Sequence, residues 1–242
     1  MSIYKRISSR ISSAGFVAIL TGAGVSAPSG VPTFRDPGGL WRNYRPEDLA
    51  TPEAFARDPK LVWEWYELRR AGIAKCLPNA AHRVIAEWQR TRPNVTLITQ
   101  NVDGLHEAAG SDDIVRLHGS LWLIRCSTGC SAERWDRTVP LPELPPRCAN
   151  CGAFERPGVV WFGERLNEES LHRAATACEA DVFLSIGTSS LVSPAAYLLP
   201  RAKELGAYTI EINPEATGHK STVDLAMPES ADTALSAIND LL

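Results

Sequence analysis

Four cysteines lie in one short stretch of this chain. Cys126-x3-Cys130 is followed, after seventeen residues, by Cys148-x2-Cys151. Two such pairs can bring four thiolates to one point, the donor set that closes a tetrahedral structural Zn²⁺ site. Gly129 and Gly152 stand beside the second cysteine of each pair, where tight turns are needed. Four protein ligands leave no open coordination position, so the metal is expected to hold the fold and take no part in chemistry. Two disulfides are the other use of four cysteines. They conflict with the reducing, cytoplasmic setting read from residues 1–14, which lack the apolar centre of a signal peptide. Cys76 and Cys178 stand alone inside helical patterns and read as small buried hydrophobes.

A second chemistry begins at Thr21-Gly22-Ala23-Gly24-Val25-Ser26-Ala27, a Gly-x-Gly-x-x-Ala run after an apolar strand. Such glycines let backbone N–H groups approach a pyrophosphate at a helix N-terminus. A glycine turn that serves packing alone would read the same way. Pro28, Gly30 and Pro32 leave room for only a short helix, where a dehydrogenase would continue with a long one. No acidic residue stands clearly at the ribose position about 20 residues past the glycines. The sheet is therefore expected to bind a dinucleotide, with a following loop, Val31–Asp36, built for something other than hydride transfer.

Two polar segments could act on such a ligand. Gln100-Asn101-Val102-Asp103 follows the apolar run Val95–Thr99, and polar groups at the carboxyl end of a parallel strand sit where these folds bind ligands. Helix capping by Asn101 or Asp103 is the plain alternative. His118 follows the apolar Ile114–Leu117 and precedes Gly119. A histidine titrating near neutral pH can serve as a general base there, or be a satisfied structural group. His82, His106, His172 and His219 lack that setting and read as structural or surface residues.

The elements that must position these groups follow from apolar patterning. Phe16–Leu20, Val95–Thr99, Val182–Ile186 and Tyr208–Ile212 read as buried parallel strands. Helical stretches Pro78–Gln89, Glu168–Cys178, Pro194–Leu205 and Ala231–Leu242 alternate with them, and Ile3, Ile7 and Ile11 give an N-terminal helix. The alternation predicts an α/β fold, a Rossmann-like doubly wound parallel sheet. Arg35–Cys76 and the proline-rich Leu123–Pro157 break the rhythm and could join as a small second domain. With 44% hydrophobic and 22% charged residues, 242 residues can build such a core. A net charge of −3 gives no broad attraction to nucleic acid or anionic membrane, and no apolar run approaches the roughly 18 residues of a membrane span.

Taken together, these segments resemble the sirtuin family over nearly the whole chain. The matching runs are Gly22-Ala-Gly-Val-Ser-Ala27, Gly30-Val-Pro-Thr-Phe-Arg35, Thr99-Gln-Asn-Val-Asp103, Leu117-His-Gly-Ser120, the four cysteines, Phe162-Gly-Glu164, Gly187-Thr-Ser-Ser190 and Ile212-Asn213. The resemblance implies an NAD-binding Rossmann-like domain (1–35, 77–122 and 158–242) and a small domain carrying the helical and zinc modules (36–76 and 123–157). NAD, consumed as co-substrate, and an acyl-lysine protein or peptide would meet in the cleft between them. By that analogy Gly22, Ala23, Gly24 and Thr188 hold phosphates, with Gly187 alongside. Ser189, Asn213 and Ala231 lie near the adenosine. Phe34 and Arg35 close over the nicotinamide ribose, Gln100 contacts ribose, and Asn101, Val102 and Asp103 serve the nicotinamide pocket. His118 is the catalytic base, assisted by Asn101. Val159, Phe162, Gly163 and Glu164 belong to a strand that pairs with the substrate backbone.

Tyr66 and Arg69, three apart on a helix, resemble the pair with which one sirtuin class meets the distal carboxylate of succinyl- or malonyl-lysine. A guanidinium can grip a carboxylate in bidentate fashion and a phenol adds a hydrogen bond; both residues could equally be ordinary surface groups. Arg156–Trp161 also resembles this class, while Pro46 stands where a small Ala is expected. The implied products are free lysine, nicotinamide and O-acyl-ADP-ribose. A mono-ADP-ribosyltransferase would use the same pocket. A dehydrogenase and a zinc-ribbon nucleic-acid binder are the remaining readings, the last opposed by sparse basic residues around the cysteines.

Overall fold

The computed structural model describes residues 1–33, 46–215, 217–218 and 222–242. Helix α1 (Ile3–Ser13) is capped by Ser2, and buries Ile7 and Ile11 as their spacing requires. Strand β1 (Val17–Thr21) runs into the glycine turn. Helices α2 (Pro46–Leu49), α3 (Pro52–Arg57) and α4 (Pro59–Ile73) follow, each beginning at a proline, which fits a first helical turn because its missing N–H has no partner there anyway. Next come α5 (Ala80–Thr91), β2 (Val95–Thr99), α6 (Leu105–Ala108) and β3 (Ile114–Arg116). Strands β4 (Gly119–Cys126), β5 (Arg134–Trp135) and β6 (Glu155–Val159) precede α7 (Glu168–Ala177), β7 (Val182–Ile186), α8 (Leu198–Glu204), β8 (Tyr208–Ile212), β9 (Leu225–Met227) and α9 (Ala231–Asn239).

The strands form a six-stranded sheet, β3-β2-β1-β7-β8-β9, and a three-stranded one, β5-β4-β6. The larger sheet is parallel throughout. Chain order reverses between β1 and β7, which makes that junction the topological switch point. Apolar side chains on its two faces fill two cores, one containing α1, α5 and α9, the other containing Phe183, Leu199 and Ala177. A third core joins α3 and α4 to β4 and β6 through Phe55, Trp63, Tyr66, Leu121, Trp122 and Trp161. The helical insertion and the cysteine insertion thus share one apolar interior, which includes Leu121 and Trp122. Among the described residues no helix is long and apolar enough to cross a membrane.

Several expectations shift. The first strand begins at Val17 and includes Thr21. Pro194–Leu205 divides into a 3-10 turn, Ala195–Tyr197, and α8, and the last helix ends at Asn239. Cys178 is fully buried beside the end of α7, but Cys76 is half-buried in the loop after α4, not inside a helix. The expected Val159–Glu164 strand stops at Val159. Beyond it Glu164 N–H closes a turn onto Trp161 O at 3.0 Å, with Gly163 at φ +85°.

Candidate functional site

Strand register places the polar groups. Arg116, Thr99, Thr21, Ile186 and Ile212 form one row across the large sheet. The residues just past that row are His118, Gln100–Asp103, Gly22, Gly187–Ser189 and Asn213, so every one leaves the same carboxyl edge. His118 lies where β3 hands over to β4, at the junction of the two sheets.

At the switch point two turns interlock. Gly22 N–H donates to Ile186 O at 3.1 Å and Gly24 N–H to Gly187 O at 2.8 Å. Gly187 has φ +60°, and a Cβ there would stand 2.5 Å from Val25 N. A Cβ at Gly24 would lie 2.8 Å from Gly187 O. The backbones therefore touch, and a side chain at either position would force them apart. Ala23–Val25 and Ala27–Ser29 form short 3-10 turns, the brief helix that the prolines allowed. Ala231, 2% exposed, begins α9, which packs against the first of these turns.

Side chains tie this turn to the neighbouring loops. Gln100 Nε2 donates to Thr188 Oγ1 at 2.9 Å, and Asn213 Nδ2 to Thr188 O at 3.3 Å. Asn101 Nδ2 donates to Gly22 O at 3.0 Å and to Ser26 Oγ at 3.2 Å. Ser26 gives its own proton to Asp103 Oδ2 at 2.7 Å. Leu105 N–H donates to Asp103 Oδ1 at 2.8 Å. Burial lifts the Asp103 carboxyl above its ordinary range, against the pull of those two donors and of Arg69.

His118 has a determined tautomer. Its Nδ1 lies 3.1 Å from Gln100 O, and a carbonyl only accepts, so Nδ1 carries the hydrogen. Burial pushes the ring's pKa below the usual histidine value, with the Gln100 carbonyl opposing. The ring is thus neutral at pH 7, with the Nε2 lone pair available as a base.

Ser26 was not singled out by the sequence, and His82, read there as structural or surface, is structural. His82 is fully buried, and burial lowers its pKa to about 4. Its Nδ1 accepts from Asn79 N–H at 3.3 Å, so Nε2–H donates to Ser26 Oγ at 3.3 Å. Ser26 then uses one donor and both acceptor positions. The signal was present in Asn79-x-x-His82, a capping box with histidine at the third helical position.

On α4, Tyr66 is buried and accepts a hydrogen bond from Trp161 Nε1 at 2.9 Å. Arg69 lies with its guanidinium carbon 4.7 Å from the Trp65 ring centre and 5.5 Å from that of Tyr66. Its Nε is buried without a hydrogen-bond partner, and no carboxylate among the described residues is within ion-pair distance. Burial lowers its pKa. The neighbouring Arg70, which the sequence did not distinguish, is wholly buried and donates to the carbonyls of Leu121, Asp136 and Thr138 at 3.0, 3.0 and 2.8 Å.

Of the expected substrate strand, Val159 pairs with Gly119, Phe162 is 47% exposed, and Gly163 lies in the turn. Glu164 is engaged within the fold, held bidentately by Arg156 at 2.5 and 2.9 Å. Phe34 and Arg35 lie outside the described residues, as does the side chain of Pro46.

The four cysteines converge. Their Sγ atoms all lie within 4.8 Å of one another, with contacts of 3.4, 3.5 and 3.6 Å. Zn–S bonds of about 2.3 Å in a tetrahedron set sulfurs about 3.8 Å apart, so the cluster has the size of a Zn²⁺ site. Gly129 at φ +70° and Gly152 at φ +73° make the two turns. The Thr128 hydroxyl helps hold Cys126 at about 6, while hydrogen bonds to Cys151 and Cys148 push Cys130 up to about 12. A divalent cation would relieve that conflict between adjacent thiolates.

Comparisons with known proteins agree on one family. A model described as the Sir2 family matches residues 22–194. A protein of Aquifex aeolicus (strain VF5) named NAD-dependent protein deacylase is 52% identical over 227 residues, covering 93% of this chain and 95% of that one. A Pseudomonas aeruginosa protein named NAD-dependent protein deacylase 1 is 53% identical, covering 82% and 83%. A solved Sir2 homologue–NAD complex superposes with a TM-score of 0.93 at 43% identity, covering 99% of this chain and 93% of that one. A Sir2 mutant with a p53 peptide and NAD gives 0.87 at 25% identity, covering 99% and 98%.

Proposed function

We propose that this chain, which belongs to the Sir2 family, is an NAD-dependent protein-lysine deacylase. The observation that carries the reading is His118. Its Nδ1–H is spent on Gln100 O, its Nε2 is left basic, and it stands at the junction beside the Gln100–Asp103 loop and the interlocked glycine turns. When bound, NAD supplies an electrophilic ribose carbon and a nicotinamide leaving group.

The chain's own residues then orient and protect. Gly22–Gly24, Gly187 and Thr188 receive phosphates, with Ser189, Asn213 and Ala231 toward the adenosine. Gln100 binds ribose, and Phe34 and Arg35 cover it. Asn101, Val102 and Asp103 line the nicotinamide pocket, their geometry supported by Ser26. His118 Nε2 would take a proton from a ribose hydroxyl for its attack on the acyl carbon, and one water would be consumed as free lysine and O-acyl-ADP-ribose are released. Orientation and fixed dipoles around the cleaved bond carry the acceleration.

The nucleotide-binding domain (1–35, 77–122 and 158–242) contains the larger sheet, together with the start of β4 and the end of β6. The smaller part (36–76 and 123–157) supplies the acyl pocket and a structural Zn²⁺ on Cys126, Cys130, Cys148 and Cys151. The acyl groups include acetyl and, through Tyr66 and Arg69, succinyl and malonyl. The buried Arg69 Nε, without a hydrogen-bond partner among the described residues, supports that choice. The substrate peptide lies along Val159 and the Phe162–Glu164 turn.

The test is NAD-dependent removal of acetyl, malonyl and succinyl groups from matched lysine peptides, followed by mass spectrometry. Nicotinamide and O-acyl-ADP-ribose are expected in equal amounts. A peptide that keeps its acyl group while a protein gains ADP-ribose would identify a mono-ADP-ribosyltransferase instead.

A further inference from the structure

Trp122 belongs to β4, yet its contacts reach into the loop that follows β2. The side chain is 4% exposed, and its Nε1 donates to the backbone oxygen of Asp103 at 2.6 Å. Immediately before it, Leu121 N–H donates to Val102 O at 2.9 Å. Two consecutive residues of the small sheet thus grip two consecutive carbonyls of the loop.

The next loop residue, Gly104, has φ +78°. A Cβ there would stand 2.6 Å from Trp122 Cδ1 and 2.7 Å from its Nε1. The indole occupies the space any side chain at 104 would need, and it holds the backbone in a conformation that favours glycine. Behind the indole, the Arg70 guanidinium carbon lies 5.2 Å from the Trp122 ring centre and that of Arg137 5.7 Å, both within cation–π range. Arg70 also donates to Leu121 O. The tryptophan is therefore held from α4 and the small sheet, and it holds the loop in turn.

The loop's side chains face the nucleotide turn. Asn101 reaches Gly22 O and Ser26, and Asp103 accepts from Ser26. These bonds need the backbone of residues 101–104 to stand within a few tenths of an ångström of its place, because hydrogen bonds weaken steeply with misalignment.

We propose that Trp122 is a positioning residue for the dinucleotide site: through Asp103 O and Gly104 it fixes the loop that presents Asn101 and Asp103. The inference rests on the NAD-dependent reading above. It adds a residue of the small sheet that sets co-substrate affinity through the loop it holds.

The test uses full-length, zinc-loaded protein. Trp122→Phe keeps an aromatic ring and removes the N–H. Its Kd for NAD should rise about tenfold, the factor that one lost buried hydrogen bond represents at 1.4 kcal/mol per decade. KM for NAD should rise more than kcat falls, with zinc content unchanged. Gly104→Ala disturbs the same contact from the loop side and should reproduce the defect. The double variant should fall short of the sum, since both changes break one contact. Amide hydrogen exchange at Leu105 and Leu121 should quicken in Trp122→Phe, a readout that needs no substrate.

A wild type that binds NAD, with Trp122→Phe binding it equally and exchanging no faster, overturns the proposal. Strict additivity with Gly104→Ala also counts against it. If wild type binds no NAD, the functional reading fails, and exchange at Leu105 and Leu121 still decides the role of Trp122. Should Trp122→Phe not fold, Gly104→Ala alone must weaken NAD binding, and unchanged binding sinks the idea.

Discussion

On the proposed reading, replacing Arg69 with methionine should separate acyl recognition from catalysis. The guanidinium rests on the Trp65 and Tyr66 rings at 4.7 and 5.5 Å, and its Nε has no partner. Aromatic faces hold a cation without consuming its N–H donors as a carboxylate would. Among the described residues Nε is thus unspent, and on the proposed reading it is available to an acidic acyl group. A charge-assisted hydrogen bond contributes about 1.5–3 kcal/mol, which is roughly ten- to a hundredfold in kcat/KM. Arg69→Met should weaken desuccinylation and demalonylation by about that factor and leave deacetylation nearly intact, because an acetyl group offers nothing for the guanidinium to hold. Methionine keeps an apolar stem on the two rings. Tyr66→Phe should move the ratio the same way but less. It also strips Trp161 Nε1 of its 2.9 Å acceptor, and a buried donor left unsatisfied costs about 1–3 kcal/mol. Its melting temperature should therefore fall, and only the ratio of activities within each variant reports the acyl group. Matched peptides followed by mass spectrometry give that ratio. Equal loss of both activities in Arg69→Met would refute the carboxylate argument and assign the residue to the fold. A wild type that cleaves acetyl-lysine far better than succinyl-lysine would refute it too, and leave the deacylase reading in place.

His118→Ala should abolish turnover with circular dichroism unchanged, and a fully active variant would remove His118 from the mechanism. Because burial lowers its pKa and the base must be neutral, the acid limb of kcat/KM should lie below the usual histidine range; a limb well above it would assign the titration to another group. One Zn²⁺ should co-purify per chain, and Cys148→Ser should unfold the small sheet first; soluble, active protein without zinc by metal analysis would contradict this. His82 is neutral in the fold, with its pKa depressed to about 4 from 6.5. The unfolded chain binds the extra proton first, so stability should be fully present above pH 6.5 and lost as pH falls from 6.5 toward 4, by up to about 3 kcal/mol. Denaturant melts of wild type and His82→Gln across that window measure it, and parallel curves would show that His82 contributes nothing.

Much of the large sheet was legible because its strands are buried on both faces and read as unbroken β-branched runs. Val95–Thr99, Val182–Ile186 and Tyr208–Ile212 have the bounds their apolar residues imply. The three-residue β9 is too short to carry a period. The small sheet was hidden for a different reason. Strand β6 reads Glu-Arg-Pro-Gly-Val, the composition of a loop, yet all five residues are buried. Arg134 pairs with Glu155 at 2.7 Å and Arg156 with Glu164 at 2.5 Å. Partners eight and twenty-one residues away turn Arg156 and Glu155 into interior residues, and hydropathy cannot see a partner. Arg69 and Arg70 make the same point within one helix. Their types are identical, and the carbonyls of Leu121, Asp136 and Thr138, more than fifty residues away, together with the Glu67 and Asp136 carboxylates at 3.6 and 3.8 Å, make Arg70 the structural one.

Histidine shows where sequence reasoning about the site stops. Residue type and position in the chain separated His118 from the rest, but they could not say how many of its nitrogens were available. His82 is a fully buried ring and His118 a half-buried one, and both sit one hydrogen bond from the Gln100–Asp103 loop or its partner Ser26. His82 spends Nδ1 on Asn79 N–H and Nε2 on Ser26, so it can orient a neighbour but cannot take a proton. His118 spends only Nδ1, on Gln100 O, and has no partner for Nε2 among the described residues. A base needs a fixed orientation and a vacant lone pair together. The carbonyl of Gln100 supplies the first without consuming the second, and it can do so because β2 ends at Thr99 and leaves Gln100 as the first residue past the strand.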